Sequence, residues 1–166
     1  MVLPVLSYGC EIWAYEDCKI VESLHLKFCK YILGLKKSTC NVMVYGELGR
    51  YPLEIELKVR LVSYWARLLR GKQDKIAKVM YDALYRSYVN NDYMSKWLLG
   101  VRDILQSCGL NYVWLNQEDG INAIFVKNTV KRILQEQFVQ NWQGKALINV
   151  LYIAFTKTSG RWRNTC

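Results

Sequence analysis

Proline, histidine and paired cysteines are scarce in this chain of 166 residues, and each scarcity excludes something. Two prolines and ten glycines are too few for the many tight turns of a β-sandwich, which leaves long helices. The one histidine is His25, and the six cysteines are Cys10, Cys18, Cys29, Cys40, Cys108 and Cys166. No two of these cysteines are separated by two residues, so the paired ligands of a zinc site are missing and no metal or other cofactor is expected. Several cysteines fall on apolar helix faces and read as reduced, buried thiols of an intracellular protein, in nucleus or cytoplasm, that is not secreted. No apolar run approaches the roughly 20 residues of a membrane span. The apolar start, Val2 to Leu6, is too short and too soon broken for a signal sequence.

What is present is apolar mass and positive charge. A hydrophobic fraction of 52% is ample for one core, which excludes a disordered chain. The net charge is +9, and it is unevenly spread. Cations exceed acids by seven in residues 19–72 and by six in 121–166, whereas 1–18 carries −3 and 73–120 carries −1. Two basic blocks of this kind suit a polyanionic partner, nucleic acid or an anionic membrane surface.

The 3.6-residue periodicity of nearly every segment predicts an all-α fold, an irregular bundle of about seven or eight helices. Residues 1–109 form one helical region and 110–166 a C-terminal helical extension and tail, packed as one unit. Pro4 opens a first helix that ends in the acidic Glu16-Asp17 turn, and Asp17 caps a second that runs to about Leu33 before Gly34. Ile20, Leu24, Phe28, Tyr31 and Leu35 share one face of that second helix, and Val21, Cys29, Ile32 and Leu33 widen it. A helix so broadly apolar is expected at the centre of the bundle, with Phe28 in the core. His25 lies on its apolar side and reads as a core histidine rather than a catalytic one. Ser38 or Thr39 caps a short helix to Leu48, and Pro52 opens a fourth to Arg70. Asp74 to Val89 and Ser95 to Cys108 are two more, joined by Asn90-Asn91-Asp92. Tyr81, Tyr85 and Tyr88 line one flank of the former, either as internal packing or as platforms for bases. Residues 111–120 read as irregular. Asn122 caps a helix to Trp142, and a separate last helix spans Lys145 to Lys157 before a basic, aromatic tail.

The candidate binding residues are Lys27, Lys30, Lys36, Lys37, Arg50, Arg60, Arg67 and Arg70. Glu56, Arg60, Ser63, Arg67 and Arg70 repeat at spacings of four, three, four and three, which makes one polar stripe on the fourth helix. Arg60 and Arg67 are one heptad apart, about 10 Å along the axis, so both can reach phosphates of a single backbone. Alternatively the stripe is a solvated face with a Glu56–Arg60 pair worth a few tenths of a kcal/mol. If the second and fourth helices pack side by side, their narrow polar strips meet at a common rim.

Three blocks carry a family resemblance: Leu6-Ser7-Tyr8-Gly9-Cys10-Glu11-Ile12-Trp13, then Leu26-Lys27-Phe28-Cys29-Lys30-Tyr31-Ile32-Leu33-Gly34, then Val44-Tyr45-Gly46-Glu47-Leu48-Gly49-Arg50-Tyr51-Pro52-Leu53. In this order and spacing they resemble the reverse transcriptases of non-LTR, LINE-like retrotransposons, in the thumb and helical connector that follow the polymerase palm. The rest, to about Trp142, fits the family's helical pattern more weakly. Cys40 stands where the family often has proline. Tyr152 and Phe155 keep the family's spacing in a poorly matching context. Gly160-Arg161-Trp162-Arg163-Asn164 looks like a segment the family places further downstream, before a Cys/His knuckle, so the chain reads as a truncated or internally deleted copy. Polymerase chemistry needs acids converging on two metal ions. Asp17, Asp74, Asp82, Asp92, Asp103 and Asp119 are scattered, with no Asp-Asp pair. The resemblance therefore implies a non-catalytic part of an RNA-directed DNA polymerase. Its expected partner is an RNA template or an RNA–DNA or DNA duplex, held by the backbone, with no membrane and no small-molecule substrate. The other reading is a helical protein-interaction or scaffold domain that binds no nucleic acid.

Overall fold

The computed structural model describes residues 3–72, 75–117 and 120–158, with side chains placed as far as Gly144. The expectations that rest on Asp74, on Glu118 and Asp119, on the side chains of Tyr152 and Phe155, and on the tail beyond Thr158 lie outside the described residues. Nine helices and no strand are found among the described residues, the all-α fold that the periodicity predicts, with nine helices in place of about seven or eight. They are α1 (Leu3–Leu6), α2 (Cys10–Trp13), α3 (Lys19–Ile32), α4 (Asn41–Leu48), α5 (Leu53–Leu69), α6 (Ile76–Val89), α7 (Lys96–Ser107), α8 (Asn111–Leu115) and α9 (Ala123–Thr158).

Helix α5 is the axis of the bundle. Leu53, Ile55, Leu57, Val59, Leu61, Val62, Trp65 and Ala66 are all buried on it. At 100° per residue they sweep an arc of about 240°. The remaining strip is the polar stripe read from the sequence, with Glu56, Ser63, Arg60, Arg67 and Arg70 outside the core. So wide an apolar arc needs cover on several sides. Helix α9 lies along one side, and α2, α7, α3 and α6 occupy others. Cys10, Ala14, Leu98, Val101, Leu105, Val113, Trp114, Val126 and Val130 complete the main core. Residues on both sides of 109–110 share it.

The centre is therefore α5, not α3, which corrects the reading of the second helix. Helix α3 buries only His25, Leu26 and Cys29, in a small second core with Val44 and Tyr45 of α4. Its broad apolar face points outward: Ile20, Leu24, Phe28, Tyr31, Ile32 and Leu35 are all exposed, Phe28 by 38%. Width of apolar surface predicted cover, but this surface has none among the described residues.

Three boundaries also differ. The expected first helix breaks into α1 and α2 because Gly9 adopts φ 63°, a left-handed conformation that ends a helical turn. Residues 111–115 form α8, and its Val113 and Trp114 are buried. Helix α9 runs unbroken through Gly144, where two helices were expected. Two side-chain caps hold. Asp17 Oδ1 accepts the Lys19 N–H at 3.0 Å, and Asn122 Oδ1 accepts the N–H groups of Ile124 and Phe125 at 3.1 Å each. Helix α4 begins after Cys40 with no side-chain cap, in place of the expected Ser38 or Thr39. Tyr81, Tyr85 and Tyr88 stack in series at 6.1 Å, Tyr85 and Tyr88 meet Trp114 edge-on and Tyr81 meets Trp97, which is the internal packing of the two readings.

Candidate nucleic-acid interface

Seven of the eight candidate cations, Lys27, Lys36, Lys37, Arg50, Arg60, Arg67 and Arg70, are exposed, and Lys30 is half-buried. The fold sorts them into separate groups. Lys30 Nζ donates to the Lys37 carbonyl oxygen at 3.0 Å, which ties the loop after α3 back onto the helix. Lys27 lies one turn before Lys30, and Lys36 adjoins Lys37. Arg50 follows Gly49, which takes φ 56° and turns the chain between α4 and α5. This group stands where α3, α4 and the N-terminal end of α5 come together.

Arg60 is engaged elsewhere. Its Nη1 donates to Ser7 Oγ at 3.0 Å, and its Nε lies 3.6 Å from Glu56 Oε1. The other Glu56 oxygen is 3.9 Å from Lys131 Nζ of α9. The guanidinium of Arg67 sits over the Tyr64 ring, 5.7 Å from its centroid. The Glu56–Arg60 pair is thus present. Both side chains are about half exposed, so it adds only a few tenths of a kcal/mol.

The common rim does not form. Glu22 meets the N-terminal residue Glu54, and the C-terminal half of α3 packs on α4. The lysines therefore lie beyond the N-terminal end of α5. Arg67 stands 13 residues along α5 from Glu54, about 20 Å at 1.5 Å per residue, with Arg70 further still. The two strips diverge because the helices meet at one end only.

Between these groups lies an open groove of about 280 Å³ lined by His25, Arg50, Tyr51, Glu56, Lys131 and Gln135 among others. Lys131 and Gln135 come from α9, some 75 residues from Glu56 in sequence. No local pattern links them to Arg50; only the packing of α9 along α5 brings them together.

Beside the groove, Glu22, His25 and Cys29 follow one another on α3. Cys29 Sγ is 3.6 Å from His25 Nε2, and His25 Nδ1 is 3.5 Å from Glu22 Oε1, long for a hydrogen bond. The series has the order of a thiol–imidazole–carboxylate triad. Burial pushes the Cys29 thiol up, only partly offset by Arg50, which favours the protonated thiol. Glu22 is committed to structure: it accepts from Tyr45 Oη at 2.5 Å and from the Glu54 N–H at 3.0 Å. Burial alone would raise its carboxyl, but the hydrogen bonds from Tyr45 and the Glu54 N–H, with the His25 ring close by, outweigh that and hold it below the usual range. Cys10, Cys18, Cys29 and Cys108 are buried free thiols, and Cys40 is partly buried. No three His, Cys, Asp or Glu side chains gather as a metal site among the described residues, and no helix there is long and apolar enough to cross a membrane. No family model, no curated protein and no solved structure matches this chain.

Proposed function

We propose that this chain is a non-catalytic helical module that holds a nucleic-acid backbone without reading its sequence, as the resemblance to the thumb and connector of non-LTR reverse transcriptases implies. One observation carries the reading. Lys27, Lys36, Lys37 and Arg50 are exposed around the α3–α4–α5 junction, and none has an acidic partner among the described residues. A merely soluble surface intersperses the two signs; uncompensated cations at one junction suit phosphates. Arg67 and Arg70 form a second contact at the far end of α5, and Arg60, engaged with Ser7 and Glu56, is the weakest of the eight candidates.

Fluorescence anisotropy with a labelled RNA–DNA hybrid at two salt concentrations tests this. Affinity should fall steeply with salt, with a log–log slope near −0.9 per phosphate neutralised on duplex DNA. Replacing Lys36, Lys37 and Arg50 together by glutamine should weaken binding to unrelated sequences alike and flatten the slope by about one for each phosphate no longer neutralised. Unchanged affinity and slope in a folded variant would sink the reading.

A further inference from the structure

The least explained surface of the molecule is the outward side of α3. Ile20 is 76% exposed, Leu24 48%, Phe28 38% and Tyr31 83%. On a helical wheel these four fall within about 80° of one another; Lys27 lies about 20° beyond one edge of that strip, and Lys30, half-buried, about 80° beyond the same edge. The opposite side of the helix is fixed to α4 through Leu26 and Cys29. The strip therefore cannot roll inward. From Ile20 to Tyr31 it is 11 residues long, about 16 Å, with the stagger of a ridge that fits the groove of another helix. No acid stands on this face: Glu22 is turned inward to Tyr45 and the Glu54 N–H.

We propose that this face docks an amphipathic α-helix of a partner protein, whose apolar ridge covers Ile20, Leu24, Phe28 and Tyr31 and whose acidic flank meets Lys27 and Lys30. Charge selects the occupant. A second copy is disfavoured, because antiparallel pairing of two α3 ridges about their midpoint brings the two Lys27 side chains within a turn of each other, on chains that each carry +9. A nucleic acid satisfies the lysines but leaves Ile20 and Leu24, which offer no ring for a base to stack on, facing water. A helix with leucines on one face and glutamate or aspartate on one edge satisfies both the apolar ridge and the cations. The inference stands apart from the nucleic-acid reading, although both draw on Lys27.

The test is a displayed library of 18-residue helices with leucines fixed at helical spacing and both flanks randomised, selected on the full chain. Enriched helices should carry acids on one flank and bind the wild type at least tenfold more tightly than the variant Leu24→Gln with Tyr31→Gln. Glutamine keeps helix propensity, and both side chains are exposed, so that variant should melt as the wild type does. If it does not, Lys27→Glu decides: the acidic helices should lose at least tenfold in affinity for it. Four results overturn the proposal. They are no enrichment, enriched flanks without acids, equal binding to wild type and Lys27→Glu, and cosedimentation of the wild type, but not the double variant, with phosphatidylcholine–phosphatidylserine vesicles.

Discussion

Glu22 Oε2 accepts the backbone N–H of Glu54 at 3.0 Å, so a side chain of α3 caps the first turn of α5 from another helix. The α5 N-terminus has no side-chain cap of its own, because Pro52 holds the position that a serine or aspartate would fill. The carboxylate also meets the positive end of the α5 dipole. Tyr45 Oη donates to the other oxygen at 2.5 Å, which joins α4 to the same point.

Replacing Glu22 by glutamine should therefore destabilise the fold by about 1–3 kcal/mol at neutral pH, since hydrogen bonds to a charged acceptor are removed or weakened. The effect should depend on pH. The Glu22 carboxyl is held below its usual 4.5 in the fold. A depressed carboxyl contributes its stability fully above the unfolded value and loses it as pH falls through the folded one. The stability gap between wild type and Glu22→Gln should be constant near neutrality and shrink below about pH 4.5. Urea melts at pH 7 and pH 3 measure it, and an equal gap at both would refute the linkage.

Trp65 and Phe28 should differ widely in what their loss costs, against the expectation that Phe28 lies in the core. Trp65 is fully buried, stacked on Trp114 with ring centroids 5.8 Å apart, and donates to Tyr81 Oη at 3.0 Å. Trp65→Ala should cost about 3–5 kcal/mol. Trp65→Phe keeps a ring against Trp114 and loses one hydrogen bond; the Tyr81 hydroxyl still donates to Gln117, so the cost should be about 1 kcal/mol more than that of the shape change alone. Phe28→Ala, at a site 38% exposed, should cost about 1 kcal/mol. Chemical denaturation of the three variants ranks them, and a Phe28→Ala loss as large as that of Trp65→Ala would contradict the placement of α3.

Most helix boundaries were legible because their signals are local. Asp17, Asn122, Gly49 and Pro52 each act on the nearest turn of chain. The centre of the fold was not legible, because it depends on which apolar arc finds cover. Helix α5 hides its arc in an alternating run, Leu53, Ile55, Leu57, Val59, Leu61, whose every second residue lies about 200° further round the helix, so both sides are buried. Helix α3 has an arc of similar breadth and leaves much of it exposed. The eight candidate cations were legible as surface residues, seven of them fully so. Their grouping was not, since the angle at which α3 meets α5 is set by Glu22 and Glu54, residues that belong to neither basic strip.

Two glycines supply a last prediction, with opposite signs. Gly100 lies on α7 where that helix crosses the segment after α2. A Cβ at Gly100 would meet the Tyr15 Cβ at 2.2 Å and its Cα at 3.4 Å. These atoms belong to the chain itself or adjoin it, so no side-chain rotation relieves the clash. The Trp97 Nε1 bond to the Glu11 carbonyl, 2.8 Å, pins α7 to α2 one turn earlier and leaves little room to shift. Gly100→Ala should therefore destabilise by about 1–3 kcal/mol, despite the better helix propensity of alanine. Gly144 stands inside α9, where an added Cβ meets nothing within 4 Å among the described residues. There propensity acts alone, and because α9 is continuous through this position Gly144→Ala should stabilise the chain by up to about 1 kcal/mol. Thermal melts followed at 222 nm should move down for the first variant and up for the second. A fall for Gly144→Ala would mean that the glycine is required as a break and that α9 is two helices, as its sequence suggests.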